Sequence, residues 1–146
     1  MELTIRKMNK NDLEPLYELL SDPRVMQYLE EPYTKEKTKQ FLIDAGLSDS
    51  PLIFAVDKDD TFIGYVIFHD YDELSMEIGW VLNPSEWGKG YASRLTEILI
   101  EKASNFHKQS VIECSPEQAI TKHLALKHGF VYECGRDGLD VYRLKR

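Results

Sequence analysis

Residues 77–92 read EIGWVLNPSEWGKGYA, from Glu77 to Ala92, and they carry a change of backbone period. Up to Leu82 the stretch is apolar and ends a strand that starts near Leu74. Asn83-Pro84 stops it, because proline can neither donate to a ladder nor follow a helical residue comfortably. After Trp87-Gly-Lys-Gly the period becomes helical, with Ala92, Leu95, Leu99, Ala103 and Phe106 expected on one face. A Gly-x-Gly turn between a strand and a helix presents unpaired N–H groups at the positive end of the helix dipole, which suits a phosphate. Gly88 and Gly90 let backbone come close to such a group, and Lys89 adds a cation. Two familiar phosphate motifs do not fit. A P-loop needs Ser or Thr after Gly-Lys, but Gly90 follows Lys89, and a Rossmann turn needs Gly or Ala where Ser93 stands. Taken alone, the turn is equally consistent with a glycine-rich connection that holds no ligand.

Upstream, Leu3, Ile5 and Met8 begin as alternation and predict a first strand. Asn11 with Glu14 forms a box-like N-cap signal for a helix carrying Leu13, Leu16, Tyr17 and Leu20. A short turn follows with Val25, Met26 and Leu29, then a helix from about Lys35 to Ala45 that stops at Gly46. Leu52–Val56 and Phe62–Phe68 are apolar on both faces and flank Asp57-Lys-Asp-Asp, the pattern of a hairpin inside a sheet. Downstream come a strand at Val111–Cys114, a helix from Gln118 to Lys127 closed by Gly129, and two strands, Val131–Asp137 and Asp140–Leu144, around Gly138. This order predicts an α+β, or mixed α/β, fold on one sheet.

At 146 residues and 42% apolar, the chain is expected to be one domain over 1–146 with a self-sufficient core. Its net charge of −7 argues against nucleic acid and against an anionic membrane surface as partners. Residues 1–75 hold 16 acidic and 8 basic side chains, a balance of −8, whereas residues 76–146 hold 9 and 10, a balance of +1. An anionic ligand therefore belongs with the second half. Cys114 and Cys134 are expected to be buried thiols, not the frame of a secreted domain. With no signal-like start and no run near 20 apolar residues, a soluble, cytoplasmic protein is expected.

The stretch 77–92 resembles the acetyl-CoA-binding motif of the GNAT N-acetyltransferases, and most resembles the branch that acetylates ribosomal-protein N-termini. Ile5-Arg-Lys-Met, Asp12-Leu, Leu16-Tyr-Glu-Leu-Leu-Ser-Asp-Pro-Arg-Val-Met and Tyr28-Leu stand in the order that branch shows, so the resemblance covers nearly the whole chain. It implies a largely antiparallel sheet of about seven strands in which strands four and five are parallel and splay apart, flanked by helices. It further implies acetyl-CoA as cosubstrate, with pyrophosphate on Trp87, Gly88, Lys89, Gly90, Tyr91 and Ala92, and pantetheine along Val81 and Leu82. Trp87 replaces the family's Gln or Arg. Gln118 and Thr121 stand where the family carries Asn and Ser or Ala before a Gly-Phe, here Gly129-Phe130, and Ala125 stands where some relatives have a tyrosine acid. The acceptor wall falls on Tyr28, Glu30, Glu31 and Tyr33, and a homodimer would suit the family.

Acetyl transfer to an amine needs a neutral nucleophile, whereas a lysine titrates near 10 and an α-amine near 8. A carboxylate near the end of the fourth strand can take the proton, and Glu77 is the candidate, with Glu73, Glu113 and Glu117 as substitutes. The resemblance assigns the carbonyl oxygen to a backbone N–H near Val81 or Leu82. Thr121 and Ser115 offer hydroxyls for the departing thiolate. His123 and His128 have no third ligand, so no metal is expected. The expected function is N-acetyl transfer to a primary amine of a peptide N-terminus or a small molecule, by direct attack in a ternary complex. The alternative is a catalytically weak or inactive CoA-binding regulatory module of the same fold, suggested by Ala125 and Gln118.

Overall fold

The computed structural model describes residues 2–145. Its elements are β1 (Leu3–Arg6), α1 (Leu13–Leu20), α2 (Pro23–Met26), α3 (Lys35–Phe41), β2 (Ile53–Lys58), β3 (Thr61–Asp72), β4 (Ser75–Leu82), α4 (Tyr91–Asn105), β5 (Gln109–Cys114), α5 (Ala119–Lys127), β6 (Val131–Arg136) and β7 (Leu139–Leu144). The strand order is β1-β2-β3-β4-β5-β7-β6. Every pairing with a described register is antiparallel except β4 with β5, which is parallel. The fold class is the one expected from the order of elements.

Contacts divide the chain into two units. The first comprises residues up to Ile67 together with Trp80–Tyr91. In it β1 and β2 pair from Leu3↔Lys58 to Arg6↔Ala55, and β2 turns into β3 through Asp59 and Asp60, both in the left-handed region (φ 49° and 70°). Asp tolerates that region better than most residues. The core gathers Leu16, Leu19 and Leu20 of α1 with Met8, Met26, Leu42, Ala45, Ile53, Ala55 and Tyr65. Arg6 clamps both oxygens of the buried Asp12 (2.9 and 2.8 Å) and also donates to Asp57 at 2.8 Å. The cap lies two residues earlier than Asn11 predicts. Asn9 accepts from the Asn11 N–H while Asp12 accepts from the Asn9 N–H, so a short 3-10 turn over 10–12 leads into α1. Asp12 wins over Glu14 because its carboxylate is already held by Arg6. Beyond α3 the helix widens to a π-turn over Leu42–Gly46, so the segment extends to Gly46 as expected.

The second unit comprises Phe68–Gly79 and residues from Ala92 onward. Here β4 runs parallel to β5 from Ser75↔Gln109 to Glu77↔Val111, and β7 lies between β5 and the edge strand β6. Leu95, Leu99 and Ala103 of α4 are fully buried as the helical face predicts. Phe106 is not part of that face. The helix ends at Asn105, His107 takes a positive φ of 59°, and Phe106 is left 64% exposed, its ring tilted against that of Phe68 at 6.3 Å between centroids. Cys114 is buried, but Cys134, on the edge strand, is only half-buried, and both are free thiols.

Candidate active site

The first cluster, within the first unit, is the end of β4 and the glycine turn. Gly64 on β3 lets the chain approach the Val81 carbonyl closely. At the end of β4, the indole N–H of Trp87, the residue that replaces the Gln or Arg of the resembled family, donates to the Leu82 carbonyl at 3.0 Å and closes the strand. Gly88 and Gly90 have φ of 73° and 83°, conformations that a side chain resists, and a Cβ on either would meet nothing within 4 Å. The space over the turn is open, and α4, 15 residues long, begins at Tyr91 with no acidic side chain in its first turn. An anionic pyrophosphate therefore fits the turn.

Beside the turn, Glu86 is buried, and its Oε1 lies 2.5 Å from Lys58 Nζ and 3.6 Å from Lys89 Nζ. Chiefly through the Lys58 hydrogen bond, Glu86 is held below the usual carboxylate range. Lys58 Nζ also sits 5.6 Å from the Tyr91 ring centre. Lys58 and Glu86 were invisible as a pair in the sequence, since Lys58 reads as a residue of an acidic hairpin and no local spacing links it to Glu86.

The predicted acceptor residues divide. Tyr28, Glu30 and Glu31 are exposed, whereas Tyr33 lies in the core at 9% exposure. The Tyr33 hydroxyl donates to Glu30 Oε2 at 2.7 Å, and Lys37 donates to Glu30 Oε1 at 3.2 Å. Burial first, then Glu30, pushes the Tyr33 phenol up to about 12.

The second cluster lies within the second unit. Glu77, half-buried on β4, has His69 Nε2 of β3 at 3.5 Å from its Oε1. Burial pushes the Glu77 carboxyl above its ordinary range, His69 opposes that, and Glu113 adds to it. Glu113 on β5 accepts from the Tyr71 hydroxyl at 2.8 Å, and Arg136 of β6 donates to that same hydroxyl at 2.6 Å. Burial and then Glu113 push Tyr71 up to about 12. Pairing of β4 with β5 ends at Glu77↔Val111, although β5 continues to Cys114, so the carboxylate stands where the two strands part. Sequence reasoning missed His69, Tyr71 and Arg136. No spacing signal pointed to His69, since equal counting outward from the Glu73-Leu74 turn sets Asp70 opposite Glu77.

On α5, Gln118 is the N-cap residue, and its Oε1 accepts from the Ser115 N–H at 2.7 Å instead of pointing its carbonyl outward. Ser115 in turn donates to Glu117. Thr121 lies half-buried in the first turn of α5, and Ala125 is fully buried. Burial pushes the Cys114 thiol up to about 11, an inert thiol. Among the described residues no group of three or more His, Cys, Asp or Glu could hold a metal ion, and no helix is long and apolar enough to cross a membrane.

Comparison with known proteins completes the assignment. The acetyltransferase (GNAT) domain matches residues 2–131, so the chain belongs to the GNAT acetyltransferase family and is an acyltransferase. It is 33% identical to an uncharacterised N-acetyltransferase of Bacillus subtilis, YnaD, over 96% of this chain and 90% of that protein. It is 25% identical to the ribosomal-protein-serine acetyltransferase of Escherichia coli, over 90% and 80% of the two chains. Its fold is shared with a spermidine N-acetyltransferase from Vibrio cholerae, solved with CoA and spermine (TM-score 0.78, 24% identity, covering 97% and 92%).

Proposed function

We propose that the chain transfers the acetyl group of acetyl-CoA to a primary amine, by direct attack and with Glu77 as the base. The observation that carries this reading is the end of the β4–β5 pairing at Glu77↔Val111, which leaves a half-buried carboxylate where the strands part. Acetyl-CoA supplies an electrophilic thioester carbonyl and a thiolate leaving group. Backbone N–H groups at Gly88, Gly90, Tyr91 and Ala92, with Lys89, hold the pyrophosphate; Trp87 closes the strand behind them. Backbone at Val81 and Leu82 runs along the pantetheine and donates to the carbonyl oxygen as charge develops there.

Glu77 takes the amine proton directly or through a water. Its raised affinity for a proton brings it nearer the amine it must serve, which strengthens it as a base. Thr121 is the hydroxyl donor assigned to the thiolate. Gln118, whose Oε1 accepts from the Ser115 N–H, offers the cofactor its amide N–H groups.

The acceptor is a primary amine, either a peptide α-amine or a small-molecule amine. The resemblance to the ribosomal-protein branch, now with 25% identity to one such enzyme, favours an α-amine, and an α-amine near pKa 8 needs the least help from a base. Tyr28, Glu30 and Glu31 are the acceptor-side residues of this reading, with Tyr33 fixing Glu30. A free-thiol assay with acetyl-CoA tests it against Ser-, Thr- and Ala-initiated peptides, polyamines and aminoglycosides, with the acetylated product identified by mass. Turnover on one amine class, lost in Glu77→Gln with unchanged acetyl-CoA affinity, is the expected result. Tight CoA binding without turnover on any amine would instead favour the regulatory module, whose support is the fully buried Ala125.

A further inference from the structure

Both nitrogens of the His69 imidazole have a close neighbour, and one of the two contacts is a hydrogen bond. Nδ1 lies 3.0 Å from the Asp70 carbonyl oxygen, and Nε2 lies 3.5 Å from Glu77 Oε1. A carbonyl oxygen can only accept, so the Nδ1 contact fixes the proton on Nδ1. In the neutral ring Nε2 is then bare and faces the carboxylate. The other charged or titratable groups around Glu77 are already committed. Glu113, on β5, accepts from Tyr71 of β3, and Arg136 of β6 donates to Tyr71.

We propose that His69 is a positioning residue for the acetyl transfer, one that receives from Glu77 the proton taken from the amine and so returns Glu77 to its carboxylate form. The inference rests on Glu77 being the base. As the C–N bond forms and the C–S bond breaks, the nitrogen loses its proton to Glu77. That proton passes from Glu77 Oε1 to Nε2 of His69, leaving a carboxylate beside an imidazolium, and the half-exposed ring then gives it to water. No electrons are transferred and no further reagent is needed. While it carries that proton, the imidazolium also opposes the burial and the Glu113 charge that favour a protonated Glu77.

The test uses the full chain. Nitrogen chemical shifts of the neutral His69 ring in the wild-type protein are expected to report the Nδ1–H tautomer; a predominant Nε2–H tautomer would overturn the proposal. In His69→Gln, kcat/KM is expected to fall about tenfold, with an unchanged KM for acetyl-CoA and the acidic limb of the pH profile moved upward. Full activity with an unmoved limb would overturn it. Glu77→Gln separates this inference from the base assignment. A loss of roughly a hundredfold or more in that variant supports the base, and full activity removes both, whereas an inactive Glu77→Gln beside an unaffected His69→Gln removes the relay alone. Should His69→Gln not fold, His69→Asn and the wild-type tautomer measurement carry the test.

Discussion

A methyl group built on Gly64 would lie 2.1 Å from the carbonyl oxygen of Val81 and 2.9 Å from the Cα of Leu82. Both obstacles are backbone, so neither can swing aside, and β3 reaches β4 this closely only because residue 64 has no side chain. Gly64→Ala is expected to destabilise the protein by about 2–3 kcal/mol, the cost of overpacking against an unyielding neighbour. The strand it displaces carries the proposed oxyanion donor, so kcat should fall in the fraction that remains folded. Urea unfolding read beside kcat at low temperature checks this. A variant as stable and as active as the parent would mean that Val81 has room to move.

Gly88 and Gly90 pose the opposite case. A Cβ there meets no protein atom within 4 Å, so the only cost to the free protein is the positive φ, about 1 kcal/mol for each Ala substitution. If the open space belongs to the pyrophosphate, the same methyl group intrudes on the ligand. Gly88→Ala and Gly90→Ala should therefore raise KM for acetyl-CoA about tenfold, equivalent to about 1.4 kcal/mol, while KM for the amine is unchanged. Acetyl-pantetheine, which lacks the pyrophosphate, should be used almost equally well by wild type and variants.

How far the sequence foretells these features depends on whether the cause is local. The turn at 88–90 was legible because glycine spacing and a switch from strand to helix period are local signals, and the parallel pair β4 and β5 followed from the resemblance that those residues carry. The Asn9 cap was not singled out, because Asn9 and Asp12 stand three apart just as Asn11 and Glu14 do, and only the Arg6 guanidinium, six residues before Asp12, distinguishes the two carboxylates. Phe106 fitted the helical spacing of Leu95 and Leu99, yet the left-handed His107 ends the helix before it can turn inward. The pairing of Lys58 with Glu86, and of His69 with Glu77, depends on strands meeting in the sheet, which residue spacing alone does not specify.

Glu86 stands between two lysines, closer to Lys58 than to Lys89. Removing Lys58 leaves Lys89 as the cation at that buried carboxylate, and a lysine held there is less available to a phosphate. Lys58→Met is thus expected to raise KM for acetyl-CoA about threefold to fivefold, a change of roughly 1 kcal/mol. Adding Glu86→Gln to that variant should lower KM again, because Lys89 loses its competing anion. An additive pair, in which the second substitution makes matters worse, would show that Glu86 serves the turn structurally and not through Lys89. Isothermal titration with CoA at two salt concentrations reads the same difference directly, since released lysines make binding more salt-dependent.

Glu77 should also trade stability for activity, with a sign that pH exposes. Its carboxyl is raised above the ordinary range, first by burial and then by Glu113, with His69 opposing. The folded state therefore binds the proton more tightly than the unfolded chain does. Its unfavourable contribution is fully present above the folded pKa and disappears as pH falls below the unfolded value near 4.3. Glu77→Gln removes the charge while keeping the shape, so it should be more stable than wild type at pH 7.5, and the two should converge as pH approaches 4. Activity runs the other way. The ionised form is the base, so wild-type kcat/KM should decline on acidification at a higher pH than an ordinary glutamate would give. Urea midpoints of both proteins at pH 7.5 and 4.5, set against the rate profile, decide the matter. A Glu77→Gln protein that is less stable than wild type at pH 7.5 would show that the carboxylate is held by favourable contacts, and not kept in place for catalysis at a cost to folding.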